Sequence, residues 1–328
     1  MQTNLISIYL LNKLDFMKID HFFSNFSTEA SCKLYFKEQR LAAGIICSRC
    51  ENSSHYWIES LSRWQCKKCR KSVTLKSGTV MENSNLSFKI WLWSLYFVTL
   101  TKKGFSALEL QRLVVHKRYE PIWGLMQKIR IMMGHRDEKY KLDGFIEMDE
   151  GFFEGHRKKD EQGLITTPAK ELNRQVKAVV AVSTTPIVTG ERKNGHPITK
   201  PGYLKISVVQ SLSKKDIGYE TEKMVAKTAE VTTDGKTSYR TLNDICKNHT
   251  AIVVNDKKEV TKMFPWVHIA ISNAKKKILG LHHSVKDSYM QNYLNEFCYK
   301  FNRRYFGIKL FDRLMVAAIS MAWYKPCT

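Results

Sequence analysis

No run in this 328-residue chain is apolar for long enough to cross a bilayer. The longest, Ile90 to Leu100, reaches about half of the ~20 residues a span requires and is broken by Ser94 and Thr99, so no transmembrane helix is expected. The apolar segment Leu5 to Leu11 lacks basic residues ahead of it and a small-residue cleavage site behind it, which argues against a secretory signal. Internal repeats and low-complexity runs are absent, so a repeat array is excluded. Acidic residues are scarce: 31 Asp and Glu face 53 Lys and Arg, a net charge of +22. Such a charge attracts polyanions, nucleic acid before membrane surfaces. With 43% hydrophobic and 11% aromatic residues the chain is too rich in core-forming material to be disordered. At ~100–200 residues per domain its length suggests two or three units.

Four segments follow from composition and periodicity. Residues 1–40 read as a helical lead-in, with Phe22, Phe23, Phe26, Tyr35 and Phe36 able to line one face. Residues 41–82 have turn-rich, short-strand character. Residues 84–135 are helical, and Ile122, Leu125, Met126, Ile129, Met132 and Met133 recur as one buried face opposite Gln127, Lys128 and Arg130. From 143 to 328 the texture alternates between strands and helices. Strands are predicted over Phe145–Phe153, Val176–Val182, Tyr203–Val209, into Asp234, and over Ile252–Val254, with a helix across Lys214–Val225. The Pro, Gly, Lys and Thr-rich stretch from Thr184 to Gly202 is expected to project as a hairpin. A helical end from Lys286 to Trp323 carries Tyr289, Tyr293, Phe297 and Phe301 as a stripe.

Eight cysteines would permit disulfides, but four form Cys47-Ser-Arg-Cys50 and, fifteen residues on, Cys66-Lys-Lys-Cys69. In a basic chain such pairs read as metal ligands and point to the cytosol or nucleoid. Each pair bends the chain so that two thiolates converge, and together they supply the closed four-sulfur shell of a structural zinc. Arg49, Lys67, Lys68, Arg70 and Lys71 surround it, suiting either a nucleic-acid surface or a solvated scaffold. Two amphipathic helices on either side of Tyr119-Glu-Pro121 fit a helix-turn-helix that offers Lys128 and Arg130 to a major groove, or a plain helical hairpin.

Glu147, Asp149 and Glu150 lie among apolar residues of one predicted strand. Buried carboxylates there need neutralising, by a divalent cation or by Lys and Arg. Alternation puts Glu147 and Asp149 on one face and Glu150 on the other, without saying which binds metal. Asp234-Gly235 ends a short strand and reads as a ligand-reaching acid or an ordinary turn. His268 or Asn273 could add a ligand, and Lys275 and its neighbours could hold phosphate.

In this order the pieces resemble the bacterial insertion-sequence transposases with an N-terminal zinc ribbon and a DDE-type, RNase H-like domain, the ISXO2-like group. The likeness spans about residues 40 to 310 and rests on Trp64-Gln-Cys66 with Cys69, Ser77-Gly-Thr79, Lys103-Gly, Ser106-Ala-Leu, Leu110-Gln-Arg112, Glu147-Met-Asp149-Glu150, Thr233-Asp234-Gly235, His268 with Ser272-Asn273, and Glu296 to Arg304. It implies a multidomain α+β chain: zinc ribbon, helix-turn-helix-like module, and mixed-sheet catalytic domain with a helical extension. Asp149, Asp234 and Asn273 would be the catalytic positions holding two Mg²⁺ or Mn²⁺ ions, Asp149 bridging both. In the family the third position is Glu or, in a branch, Asn, and it falls here on Asn273. Glu150, His268 and Lys275 are auxiliary candidates, and Lys67, Lys68, Arg70, Lys128 and Arg130 would contact DNA. The implied partners are transposon ends and target DNA, bound by a homo-oligomer in the cytoplasm or nucleoid and without a membrane. The alternative is a regulator that binds DNA but has lost cleavage.

Overall fold

The computed structural model describes residues 19–155, 175–191, 197–253 and 264–324. Most of the lead-in before α1 therefore lies outside the described residues, as does Cys327. Two units emerge, one up to Arg136 and again from Arg303 on, the other Asp137–Asn302.

The first unit begins with α1 (Ile19–Asn25) and α2 (Glu29–Ala43), followed by an antiparallel sheet of β1 (His55–Ile58), β2 (Arg63–Cys66) and β3 (Ser72–Thr74). Thr28 starts α2 by accepting the Ser31 N–H, and Gly44 ends it at φ +80°, a region that favours glycine. Buried Arg40 leaves α2 to donate to the Leu75 and Ser77 carbonyls, tying helix to ribbon. The apolar run of the sequence becomes α3 (Phe88–Leu100), a core helix whose first turn donates Phe88 and Lys89 N–H to the Glu29 carboxylate at 2.8 and 2.9 Å. No described helix is long and apolar enough to cross a membrane.

A capping box of Ser106 and Glu109 opens α4 (Ala107–Leu113), and α5 (Tyr119–Glu138) follows. Burial along α5 favours the plain helical hairpin over the helix-turn-helix. No residue from Pro121 to Asp137 is fully exposed, so α5 is at least partly covered on every face. Arg130 is 1% exposed, and Lys128 Nζ donates to the Glu82 carbonyl at 2.9 Å with its ammonium over the Trp323 ring. Neither side chain is presented to a groove. The apolar stripe reports one buried face but cannot tell whether the opposite face is buried as well.

The second unit is built on a five-stranded sheet of order β6-β5-β4-β7-β8. Its strands are β4 (Phe145–Glu154), β5 (Gln175–Glu191), β6 (Pro197–Val209), β7 (Glu230–Asp234) and β8 (Asn248–Ile252). β4, β5 and β6 run antiparallel as successive hairpins, and α6 (Lys214–Met224) crosses over so that β7 and β8 run parallel to β4. This is the mixed sheet of an RNase H-like domain. The near-continuous apolar run of β5 suits a strand covered on both faces. Ala178, Val180 and Val182 pack on one side with α7 (Pro265–His282) and α8 (Met290–Asn302), and Val179 and Ala181 on the other with α6.

Tyr289, Tyr293, Phe297 and Phe301 pack against the α7 side as the stripe predicts. Amides of α8 cover the edge strand β6. Gln291 accepts Val208 N–H at 2.7 Å, and Asn302 accepts Leu204 N–H at 2.7 Å while donating to its carbonyl at 2.9 Å. The Thr184–Gly202 stretch extends β5 and β6 as a hairpin whose residues 192–196 lie outside the described ones. The last strand begins at Asn248 rather than Ile252, because an edge strand of Asn, His and Thr carries little apolar signal. The closing helix α9 (Leu310–Ser320) belongs with the first unit, against α2 and α3, whereas the sequence pattern assigns 143–328 to one domain.

Candidate functional site

The two cysteine knuckles are built alike. Cys47 N–H donates to the Asn52 carbonyl and Cys66 N–H to that of Lys71, both at 3.0 Å. The residues four after each first cysteine, Glu51 and Arg70, take left-handed φ of 56° and 57°. The four sulfurs lie within 4.8 Å of one another, with Cys47–Cys69 at 3.5 Å and Cys50–Cys66 at 3.6 Å. Those separations are too long for disulfides and close to the ~3.8 Å edge of a tetrahedron with 2.3 Å zinc–sulfur bonds. The Cys69 N–H, ahead of smaller contributions, lowers the Cys66 thiol to about 5, and the Arg49 N–H does most to lower Cys47. Two lowered thiols and four sulfurs facing one another without cross-links fit one four-coordinate metal ion. Lys67, Lys68 and Arg70 are exposed around it.

The acidic site lies at the middle of β4 and the carboxyl end of its parallel neighbour β7. Their parallel register sets Glu147 opposite Thr232, which brings Asp149 and Asp234 side by side two residues further on. Asp149, Glu150 and Asp234 each offer an oxygen within 4.8 Å of the others. Asp149 shares its face with Glu147 and looks toward α7. Glu150 shares the opposite face with Ile146 and Met148, which pack with Tyr239 of a 3-10 helix, Thr237–Asp244. Lys236 donates to Glu150 Oε2, and to Asp234 Oδ2 at 2.9 Å. Burial, followed by the Glu150 and Asp234 charges, raises Asp149 to about 6 against the pull of the Glu150 N–H and Lys236. Burial and the Glu150 and Asp149 charges also push the Tyr239 hydroxyl up, keeping it a neutral donor.

Glu150 Oε1, Asp234 Oδ1 and His268 Nε2 are buried and have no hydrogen-bond partner among the described residues. Buried polar atoms are rarely left so. Hard carboxylate oxygens with one imidazole suit Mg²⁺ or Mn²⁺, so the residues present fit a divalent cation.

Helix α7 presents His268 to this cluster, with Nδ1 at 3.6 Å from Asp149 Oδ2. Burial lowers the imidazole pKa and so favours the neutral form that ligates metal. The cause of this placement lies in the strand. Phe264 provides no side-chain cap, and instead Glu147 Oε2 accepts Trp266 N–H at 2.9 Å and Val267 N–H at 3.0 Å. Glu147, offered by the sequence as a possible metal acid, is thus the anchor of the helix start, two residues from Asp149. Trp266 Nε1 also donates to Thr199 on β6. Replacing Glu147 by Ala is expected to cost about 1–3 kcal/mol in urea unfolding, the usual range for a lost charged acceptor at buried donors, and Gln should restore most of it.

Asn273 follows His268 by five residues, which on an α-helix turns it about 140° away and sets it about 7.5 Å further along. It is exposed. The structure brings His268 to the carboxylates, while Asn273 sits exposed on a different face of the helix. Lys275, seven residues on, returns to within about 20° of the His268 direction and is exposed. Lys236 and Tyr239 escaped the sequence reading. Their signal was position alone, two and five residues beyond Asp234.

Residues 141–302 match the model of the ISXO2-like transposase domain, and residues 27–72 that of the transposase zinc-ribbon domain. Comparison with individual curated proteins gives no match.

Proposed function

Because the chain belongs to the insertion-sequence transposases with an N-terminal zinc ribbon, we propose that it cuts transposon ends and joins them to target DNA by metal-dependent phosphoryl transfer. The observation that carries this reading is the cluster of Asp149, Glu150 and Asp234 on the adjoining strands β4 and β7, with buried Glu150 Oε1 and Asp234 Oδ1 lacking partners among the described residues. Mg²⁺ or Mn²⁺ ions held there would act as Lewis acids on the scissile phosphate and on the attacking and leaving oxygens. Asp149, Asp234 and Glu150 would hold the cation, and His268 would complete the ligand set in the role expected for Asn273. Lys275, along the same face of α7, holds a phosphate of the bound strand.

In the ribbon, Cys47, Cys50, Cys66 and Cys69 hold one structural zinc that orders Lys67, Lys68 and Arg70 for backbone phosphates. Each phosphate contact of this kind releases counterion, so binding falls as salt rises. More than one copy acts on paired ends in the nucleoid.

The test is incubation of the zinc-loaded chain with end-bearing duplex and Mg²⁺. Strand cleavage that stops without the divalent cation is the expected result, and binding without cleavage would favour the regulator. The ligand assignment is checked in the same assay. His268→Ala is expected to lower the cleavage rate by about 10- to 100-fold, the usual loss at a metal-orienting position, and Asn273→Ala by no more than about threefold. The reverse ranking would return Asn273 to the site.

A further inference from the structure

Three carboxylates whose oxygens lie within 4.8 Å of one another repel, and the repulsion grows as water is excluded. Glu150 is the extreme case, with a side chain only 1% exposed. The chain meets this with a cation of its own. Lys236 Nζ bonds Glu150 Oε2 on β4 and Asp234 Oδ2 at the end of β7, tying the two neighbouring strands together through one ammonium.

A Cβ built on Gly235 would lie 2.5 Å from Val253 Cγ2, just past the end of β8, so a larger residue would have to push the Val253 side chain aside. The lysine side chain is 52% exposed, and its ammonium can leave for water without opening the core. It also satisfies only part of the cluster, since Glu150 Oε1 and Asp234 Oδ1 stay unpartnered beneath it. A tethered monovalent charge that binds one oxygen of each carboxylate is a stand-in for a divalent ion that could engage more of them.

We propose that Lys236 is a built-in counter-ion that competes with the divalent cation for Glu150 and Asp234, holding the cluster together in the cation-free protein and swinging out when the cation enters. The proposal rests on the reading of these carboxylates as a divalent-cation site. A competitor lowers apparent affinity by the fraction of molecules it blocks. Removing the charge should therefore tighten cation binding while weakening the cation-free fold.

Mn²⁺ titration calorimetry on the zinc-loaded full chain tests this, with the Asp149→Asn, Asp234→Asn double variant as the blank. Lys236→Met, which keeps the apolar stem, is expected to bind Mn²⁺ about tenfold more tightly than the parent, a change of about 1.4 kcal/mol. Lys236→Arg should bind like the parent. In buffer freed of divalent cations Lys236→Met should melt below the parent, and the gap should close at saturating Mn²⁺. Lys236→Gln supplies the same comparison if the Met variant does not fold. Unchanged or weaker Mn²⁺ binding by the charge-free variant, with parental circular dichroism, overturns the competition while leaving the cation site standing. Uptake by parent and variants no greater than the blank overturns the cation site itself, and the competition with it.

Discussion

Asparagine at Asp149 or at Asp234 is expected to reduce metal-dependent strand cleavage by about a thousandfold or more while DNA binding persists. Charge stabilisation by a bound cation amounts to several kcal/mol, and each 1.4 kcal/mol is about a factor of ten in rate. Both substitutions keep the shape of the side chain and remove the charge that holds the cation. Folding should survive. In the cation-free state Asp149 sits in a site whose burial already disfavours its charge, with Glu150 and Asp234 adding to the effect. Neutralising it relieves repulsion, so the melting temperature of Asp149→Asn without divalent cations should equal or exceed that of the parent. Gel shift on end-bearing duplex, run beside the cleavage assay, separates lost chemistry from lost binding. Parental cleavage by either variant would remove these carboxylates from the reaction.

Loss of zinc is the second large effect. Chelation or Cys66→Ser is expected to unfold the ribbon and to abolish high-affinity DNA binding, with the melting transition of the second unit retained. The strands β1, β2 and β3 hold four, four and three residues, too few to support a sheet by themselves. The buried Trp64, with Trp57 at 4.8 Å and Arg40 against its ring, forms a small nucleus that depends on the knuckles to stay closed. Structural zinc contributes on the order of 10 kcal/mol to such modules, more than the ribbon can replace. Metal analysis should find one zinc per chain, and tryptophan fluorescence should report the unfolding. A Cys66→Ser chain that kept its zinc and its fluorescence would contradict the four-thiolate assignment.

The sequence by itself determined what is local or strongly periodic. Two Cys-x-x-Cys knuckles need only short turns to aim four sulfurs inward, so the ribbon could be read from spacing. The strands and the helix over Lys214–Val225 announced an alternating α/β unit, and Glu147, Asp149, Glu150 and Asp234 stood out as acids in or at the end of apolar strands, the resemblance alone choosing among them. Tertiary structure decided what depends on the phase and reach of elements distant in the chain. The stripe on α5 marked one buried face, but packing also closed the face bearing Lys128 and Arg130. Whether His268 or Asn273 meets the carboxylates turns on the rotation of α7, set by a bond from Glu147, more than a hundred residues earlier, to the start of that helix. Lys236 reaches Glu150 because β7 lies beside β4. Residue type and spacing limit which groups can bind a cation, but a side chain's direction follows from the packing of the element that carries it.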